Sequence, residues 1–298
     1  VSQRPAQEAL SLRGSLASGA WASIFFWGAS FVAAKEALAG FSPWSMVAGR
    51  FALGALLLYG WLWLRRETWL PRAEDRRRCL LLGVILGLHI VAQGFALYST
   101  SALNSGWIVG FCPVVIAVGA RVFLREPISA RSWSGIGIAT MGMALILLPG
   151  AQLGAFQLGD WIVFGTTFSW AAYTLLSARP VQHSGALVTS AAAMAVASLV
   201  CVLAAVVDGR WLEAAVPGRA WVALLFLGLG CSGLAFAFWN RALARFGAAQ
   251  LSGLIYFQPL VTLLLSVLLL GEELRWNVMA GGGVVLCGVY WLSRGKRA

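Results

Sequence analysis

The chain has 298 residues, of which 60% are hydrophobic and only 11% charged. That composition excludes a soluble globular domain, whose apolar runs are shorter and whose charged share is larger. The net charge of +11 does not mark a nucleic-acid binder either, because the basic residues lie in short loops with no aromatic-interleaved basic surface.

About 20 apolar residues at 1.5 Å each cross a roughly 30 Å hydrocarbon layer. In chain order such stretches recur near 16–38, 44–64, 79–98, 102–124, 133–148, 158–177, 187–207, 221–239, 248–270 and 278–292. They predict an all-α polytopic membrane protein with ten transmembrane helices. The longest hydrophilic stretch, 65–78, leaves no room for a separate soluble domain. Arg13 and the apolar run behind it look superficially like a secretory signal. At 16–34 the run exceeds the about 7 to 15 residues of a signal core, which predicts a retained first helix.

Most of the 22 Lys and Arg residues share one face when the N-terminus is placed in the cytoplasm, among them Arg65, Arg66, Arg72, Arg76, Arg77 and Arg78. Lys35, Arg210, Arg219 and Arg275 fall on the other face, and Arg50 falls inside a helix. The positive-inside bias then predicts both termini in the cytoplasm.

The chain is written twice. At an offset of 146, Pro113 meets Pro259, Glu126 meets Glu272, Gly135 meets Gly281, Gly137 meets Gly283 and Gly142 meets Gly288. With five crossings per copy, the second copy enters the bilayer upside down relative to the first, an architecture of secondary transporters. The predicted organisation is a cytoplasmic tail at 1–14, repeat 1 at 15–149, repeat 2 at 150–293 and a basic cytoplasmic tail at 294–298.

Hydrocarbon offers polar side chains no partner, so they point toward protein or a wet cavity. Helical spacing puts Ser23, Trp27 and Ser30 on one face, His89 and Gln93 on another, and Asn104, Trp107 and Phe111 on a third. Thr166, Ser169 or Trp170, and Tyr173 share a face of the sixth stretch, and Ser252, Tyr256, Pro259, Thr262 and Ser266 one of the ninth. The candidate substrate contacts are Trp27, Ser30, Arg50, His89, Gln93, Asn104, Trp107, Phe111, Trp170, Tyr173 and Tyr256. The competing reading for the polar members is hydrogen bonding between packed helices. Tryptophans near helix ends, such as Trp63, Trp69, Trp221 and Trp276, read as interfacial belts.

Arg50 costs about 2.5–3.5 kcal/mol in a membrane interior unless paired or wet. Glu36 is its expected partner, with helix-terminal carbonyls, a substrate carboxylate or snorkelling as alternatives. His89 makes protons a candidate coupling ion, against a merely hydrogen-bonded imidazole and a uniporter. Gly110, Pro113, Gly253 and Pro259 are candidate hinges at matched positions, with static bends as the alternative. Cys79, Cys112, Cys201, Cys231 and Cys287 are odd in number and unpatterned, which predicts no disulfide framework and no metal site. The chain has no nucleophile elbow, zinc helix or phosphate loop, so neither catalysis nor a cofactor is expected.

Trp27-Gly28-Ala29-Ser30-Phe31-Val32, Arg50-Phe51, Leu124-Arg125-Glu126-Pro127 behind the Pro113 helix, and Leu269-Leu270-Gly271-Glu272-Glu273 together resemble the EamA-type drug/metabolite transporters. The front halves of the repeats align at an offset of 143, Trp27 over Trp170. The resemblance implies two inverted five-helix repeats around a central cavity. It also implies a bacterial inner-membrane secondary transporter exporting small amphipathic metabolites, with amino acids, aromatic ones among them, or toxic organic compounds as cargo. A flippase or carrier for lipid-linked or nucleotide sugars on the same fold is the alternative.

Overall fold

The computed structural model describes residues 19–96, 99–100, 105, 108–147, 157–209, 215–270 and 276–293. The candidates Asn104 and Trp107, the tails at 1–14 and 294–298, and the motif residues 271–273 lie outside the described residues.

The described residues are dominated by helices: α1 (Ala20–Ala37), α2 (Pro43–Leu64), α3 (Arg76–Ala96), α4 (Cys112–Phe123), α5 (Ala130–Leu147), α6 (Leu158–His183) and α7 (Ala186–Asp208). In α8, Gly218–Leu225 runs through a π-helical stretch, Phe226–Leu234, into Ala235–Phe246. In α9, Ala248–Ser252 passes through a 3-10 turn, Gly253–Tyr256, into Phe257–Leu270, and α10 is Trp276–Ser293. Among the described residues, five helical segments are long and apolar enough to cross a membrane: Pro43–Leu64, Ala73–Ala96, Ala186–Asp208, Gly218–Phe246 and Ala248–Leu269. Cys112–Phe123 and Met279–Trp291 are shorter apolar helices. Leu56, Val122, Leu203 and Leu268 stand exposed on outward faces, as they do where the solvent is lipid rather than water.

Local chemistry sets the helix starts. Ser42 accepts the Ser45 amide at 3.2 Å ahead of Pro43, a side-chain cap followed by a proline whose missing N–H is not needed. The Gln157 amide donates to Asp160 Oδ2 at 3.0 Å and opens α6. Arg125 adopts a left-handed backbone, φ 54°, and behind it Glu126 accepts the Ala248 and Ala249 amides at 3.1 and 3.0 Å. A carboxylate thus neutralises the positive end of α9 from the α4–α5 connection. This is a structural use for the Leu124-Arg125-Glu126-Pro127 motif.

Helix α1 packs on α8 and α9, α2 on α7 and α8, α3 on α6 and α7, α4 on α6 and α9, and α5 on α10. Glycines bring several of these backbones close. A Cβ on Gly142 would lie 2.6 Å from the Val285 amide nitrogen, and one on Gly288 would overlap the Ala139 nitrogen. Gly83 meets the Ala193 carbonyl on the α3–α7 contact, where a Cβ would approach to 2.7 Å. In lipid, where apolar burial between helices gains nothing over contact with acyl chains, such close approach supplies the association energy by packing.

The chain is interrupted before Pro113 and before Pro259. Gly110 and Phe111 form a turn ahead of α4, and Pro113 stands in its first turn. The 3-10 turn beginning at Gly253 precedes Pro259 in the same way. The π-helical stretch of α8 has no counterpart in the sequence reading; Gly228, Gly230 and Gly233 let it lie against Leu53, Phe26 and Leu57.

Overpacking a tight glycine contact costs about 1–3 kcal/mol. Gly142→Leu and Gly288→Leu should each lower the thermal transition of the detergent-solubilised protein. Gly137→Leu should leave it unchanged, because nothing lies within 4 Å of a Cβ built there.

Candidate functional site

A cavity of about 480 Å³ opens among the C-terminal half of α1, the first turns of α2, the end of α3, the start of α6, and single residues of α8 and α9. It lies at the end of the bundle opposite the arginine-rich 65–78 loop, since its α2 residues, Met46 to Phe51, belong to the N-terminal end of that helix. Trp27, Ser30, Arg50, His89, Gln93 and Trp170 all line it. The structure therefore brings together six candidates from four separate helices, α1, α2, α3 and α6.

Aromatic rings close its deep end. Trp27 meets Trp170 edge-on with centroids 5.0 Å apart, and meets Phe236 at 5.4 Å. A second layer lies beneath: Tyr173 stacks on Trp170 at 5.4 Å, and the fully buried Trp239 sits 5.2 Å from Trp27. Trp27 is fixed in place by its indole N–H, which donates to the Cys231 carbonyl at 3.0 Å. That carbonyl belongs to the π-helical stretch of α8.

Polar groups line the walls. His89 Nδ1 lies 2.8 Å from Ser169 Oγ and 3.1 Å from the Thr166 carbonyl; because a carbonyl only accepts, a proton on Nδ1 suits this arrangement. Gln93 Nε2 donates to Thr166 Oγ1 at 3.4 Å. The Ser30 hydroxyl donates to the Trp27 carbonyl at 2.7 Å, within its own helix.

The expected Arg50–Glu36 ion pair does not form. Glu36 faces Arg219, 3.6 Å away at the surface, whereas Arg50 is buried and its Nε donates to Ser232 Oγ at 3.0 Å. The two helices cross so that Arg50 turns into the bundle toward α8, while Glu36, near the end of α1, turns outward toward the start of α8.

Three candidates stand away from the cavity lining. Tyr173 is buried beneath it, accepting from Asn240 Nδ2 at 3.1 Å. Tyr256 pairs with Thr140 Oγ1 at 3.0 Å, joining α9 to α5. Phe111 is partly exposed and packs on Phe164 at 5.9 Å. From the ninth-stretch stripe, Thr262 donates to the Gly28 carbonyl at 2.9 Å and serves helix packing. Sequence reasoning did not select Phe236, Gln258 or Thr167, which line the cavity, nor Ser232, which holds Arg50. A polar residue inside a glycine-rich apolar run was the available signal for Ser232.

A model of the EamA-like transporter family matches this chain twice, over 16–148 and 157–294. The chain belongs to this family. It is 26% identical over 277 residues, 90% of either chain, to the uncharacterized transporter YyaM of Bacillus subtilis. It is 25% identical to a probable terminal-alkyne amino-acid exporter of Streptantibioticus cattleyicolor, covering 94% of either chain. It is likewise 25% identical to an S-adenosylmethionine/S-adenosylhomocysteine transporter of Chlamydia muridarum, over 89% of this chain and 87% of that one. A solved crystal structure shares the fold with a TM-score of 0.77 at 19% identity, covering 94% of this chain and 96% of the other. The EamA chain is thus a multi-pass membrane transporter for a small molecule and not an enzyme.

Asn240 bridges α6 and α7 beneath the aromatic layer, donating also to Ser190 Oγ at 2.8 Å. Interhelical bonds of this kind contribute about 0.6–2 kcal/mol in membranes. Asn240→Ala should therefore lower the thermal transition by a few degrees while the protein remains monodisperse in size-exclusion chromatography.

Proposed function

We propose that the protein is an alternating-access exporter of small amphipathic metabolites in a bacterial inner membrane, with amino acids as the leading cargo. The observation that carries this reading is the pairing of the open cavity with a closed, mirrored set of residues. At the offset of 143, cavity residues Trp27, Ser30, Phe31, Met46 and Val47 correspond to Trp170, Tyr173, Thr174, Thr189 and Ser190. Apart from Trp170, which lines both sets, the second group is almost fully buried. Thr174 Oγ1, Trp239 Nε1 and Asn240 Oδ1 are buried there without hydrogen-bond partners.

Unpaired polar atoms in a packed membrane interior are costly. They are accounted for when the same surfaces become the wet lining of a second cavity in the opposite state. In the ten-helix, inverted-repeat reading, the helix packing supports this exchange. The contacts α1–α9 and α4–α6 are equivalent under exchange of the repeats, as are α2–α8 and α3–α7, and α1–α8 and α3–α6. Helices α5 and α10 meet across the pseudo-twofold, with Gly142 on Val285 and Gly288 on Ala139. The interruptions before Pro113 and Pro259 give each repeat a matched place to flex.

The positive-inside rule puts the 65–78 loop in the cytoplasm with both termini, so the cavity described here faces outward. Its volume suits a ligand of amino-acid size, and its indoles offer faces to an apolar or aromatic side chain. The name of the Streptantibioticus relative agrees with such a cargo. Downhill exchange is the simplest energetics; the Nδ1 of His89, the candidate proton site, is already engaged.

Purified protein in proteoliposomes should show counterflow of labelled amino acids. Trp170→Ala should reduce it about tenfold or more, the scale of a lost aromatic contact worth about 1.4 kcal/mol or more, without loss of folded protein. Counterflow absent across a panel of amino acids, or unchanged in Trp170→Ala, overturns the reading. A cysteine placed at Thr174 should react with a polar thiol reagent from the side of the 65–78 loop, faster during exchange than at rest. Reaction from the opposite side would invert the assigned orientation.

A further inference from the structure

The charge inventory of the cavity is one-sided. Lys35 and Arg50 are its charged lining residues, and no Asp or Glu lines it among the described residues. The nearby acids are committed elsewhere: Glu36 to Arg219 at 3.6 Å, and Asp160 to the Thr100 hydroxyl at 2.6 Å and the Gln157 amide at 3.0 Å. Lys35 is exposed at the mouth, whereas Arg50 is only 7% exposed.

The bonding of Arg50 is incomplete. A guanidinium carries five N–H donors in a planar fork. Its Nε is used on Ser232 Oγ at 3.0 Å, a neutral acceptor, and among the described residues no carboxylate forms a salt bridge with it. A buried charge without a counter-charge is unfavourable, and a carboxylate presented to the remaining fork would bond it through two parallel N–H···O contacts. Ser232 fixes the guanidinium beside Phe51 and within the same cavity as the Trp27–Trp170 pair. An ammonium group in this space would meet two cations and no anion.

Resting on the transport reading above, we propose that Arg50 anchors the substrate's carboxylate and that the carrier selects organic monocarboxylates with an apolar or aromatic body, with no requirement for an α-amino group. Amino acids and their 2-hydroxy analogues bind alike, and the corresponding amines and organic cations are rejected. Lys35 at the mouth raises the local concentration of anions and assists entry. Ser232 is a positioning residue: it touches Arg50 and not the ligand.

The test uses the purified full chain and matched probe triplets for phenyl, indole and isobutyl side chains, each comprising an amino acid, its 2-hydroxy acid and its decarboxylated amine. Binding is read from intrinsic tryptophan fluorescence and from thermal stabilisation. For at least one triplet both acids should bind within about threefold of each other. The amine should bind at least about thirtyfold more weakly, as expected when a charge-assisted bidentate pair is replaced by like-charge contact. Arg50→Lys, which keeps the charge and loses the fork, should weaken acid binding about tenfold, and Arg50→Gln should abolish the preference for acid over amine. The melting transition of each variant identifies any that fails to fold, and Arg50→Lys keeps the test decisive if Arg50→Gln does. An amine binding as tightly as its acids, no binding by any acid, or an undiminished preference in folded Arg50→Lys overturns the proposal. Acid binding without counterflow would instead sink the export reading and leave the carboxylate site standing.

Discussion

Hydrocarbon supplies no hydrogen bonds, and that single fact organises this molecule. Outward faces carry Leu, Val and Phe, while polar groups turn to one another inside: Ser23 to the Ala235 carbonyl, Thr262 to the Gly28 carbonyl and Asn240 to Tyr173. Irregular backbone obeys the same constraint. The π-helical stretch of α8 and the 3-10 turn of α9 both lie where other helices cover them, and their buried residues include Ser232 and Tyr256. Where helices must approach within backbone distance, as α5 and α10 do, glycine replaces side chains.

The π-helical stretch joins architecture to chemistry. From consecutive residues it offers the Cys231 carbonyl to Trp27 and the Ser232 hydroxyl to Arg50. It thereby holds the aromatic floor and the buried cation of the cavity at once. Neighbouring residues on a helix point in directions about 100° apart, so two adjacent positions of this one segment reach different walls of the cavity.

Function in this family chain follows from where polarity is left over. The aromatic layer of Trp27, Trp170, Phe236 and Trp239 separates an open lining from a closed one, and the closed side retains buried polar atoms with no partner. A protein stable in one conformation alone would gain by replacing them with apolar groups. Their retention is coherent with a surface that is wet for part of a transport cycle.

From the sequence alone came the helical class, the apolar stretches, the duplication at 146 residues and the inward faces bearing Trp27, His89, Gln93 and Trp170, because periodicity and the lipid constraint act locally along the chain. Tertiary structure alone decided that Arg50 turns to Ser232 and not Glu36, that Tyr173 stands behind the lining and Tyr256 joins α9 to α5, and that Phe236 and Gln258 complete the lining. Those outcomes depend on how helices distant in sequence cross and rotate, and on an unanticipated π-helical turn. A side chain's spacing names its face on a helix; only the neighbouring helices determine what that face meets.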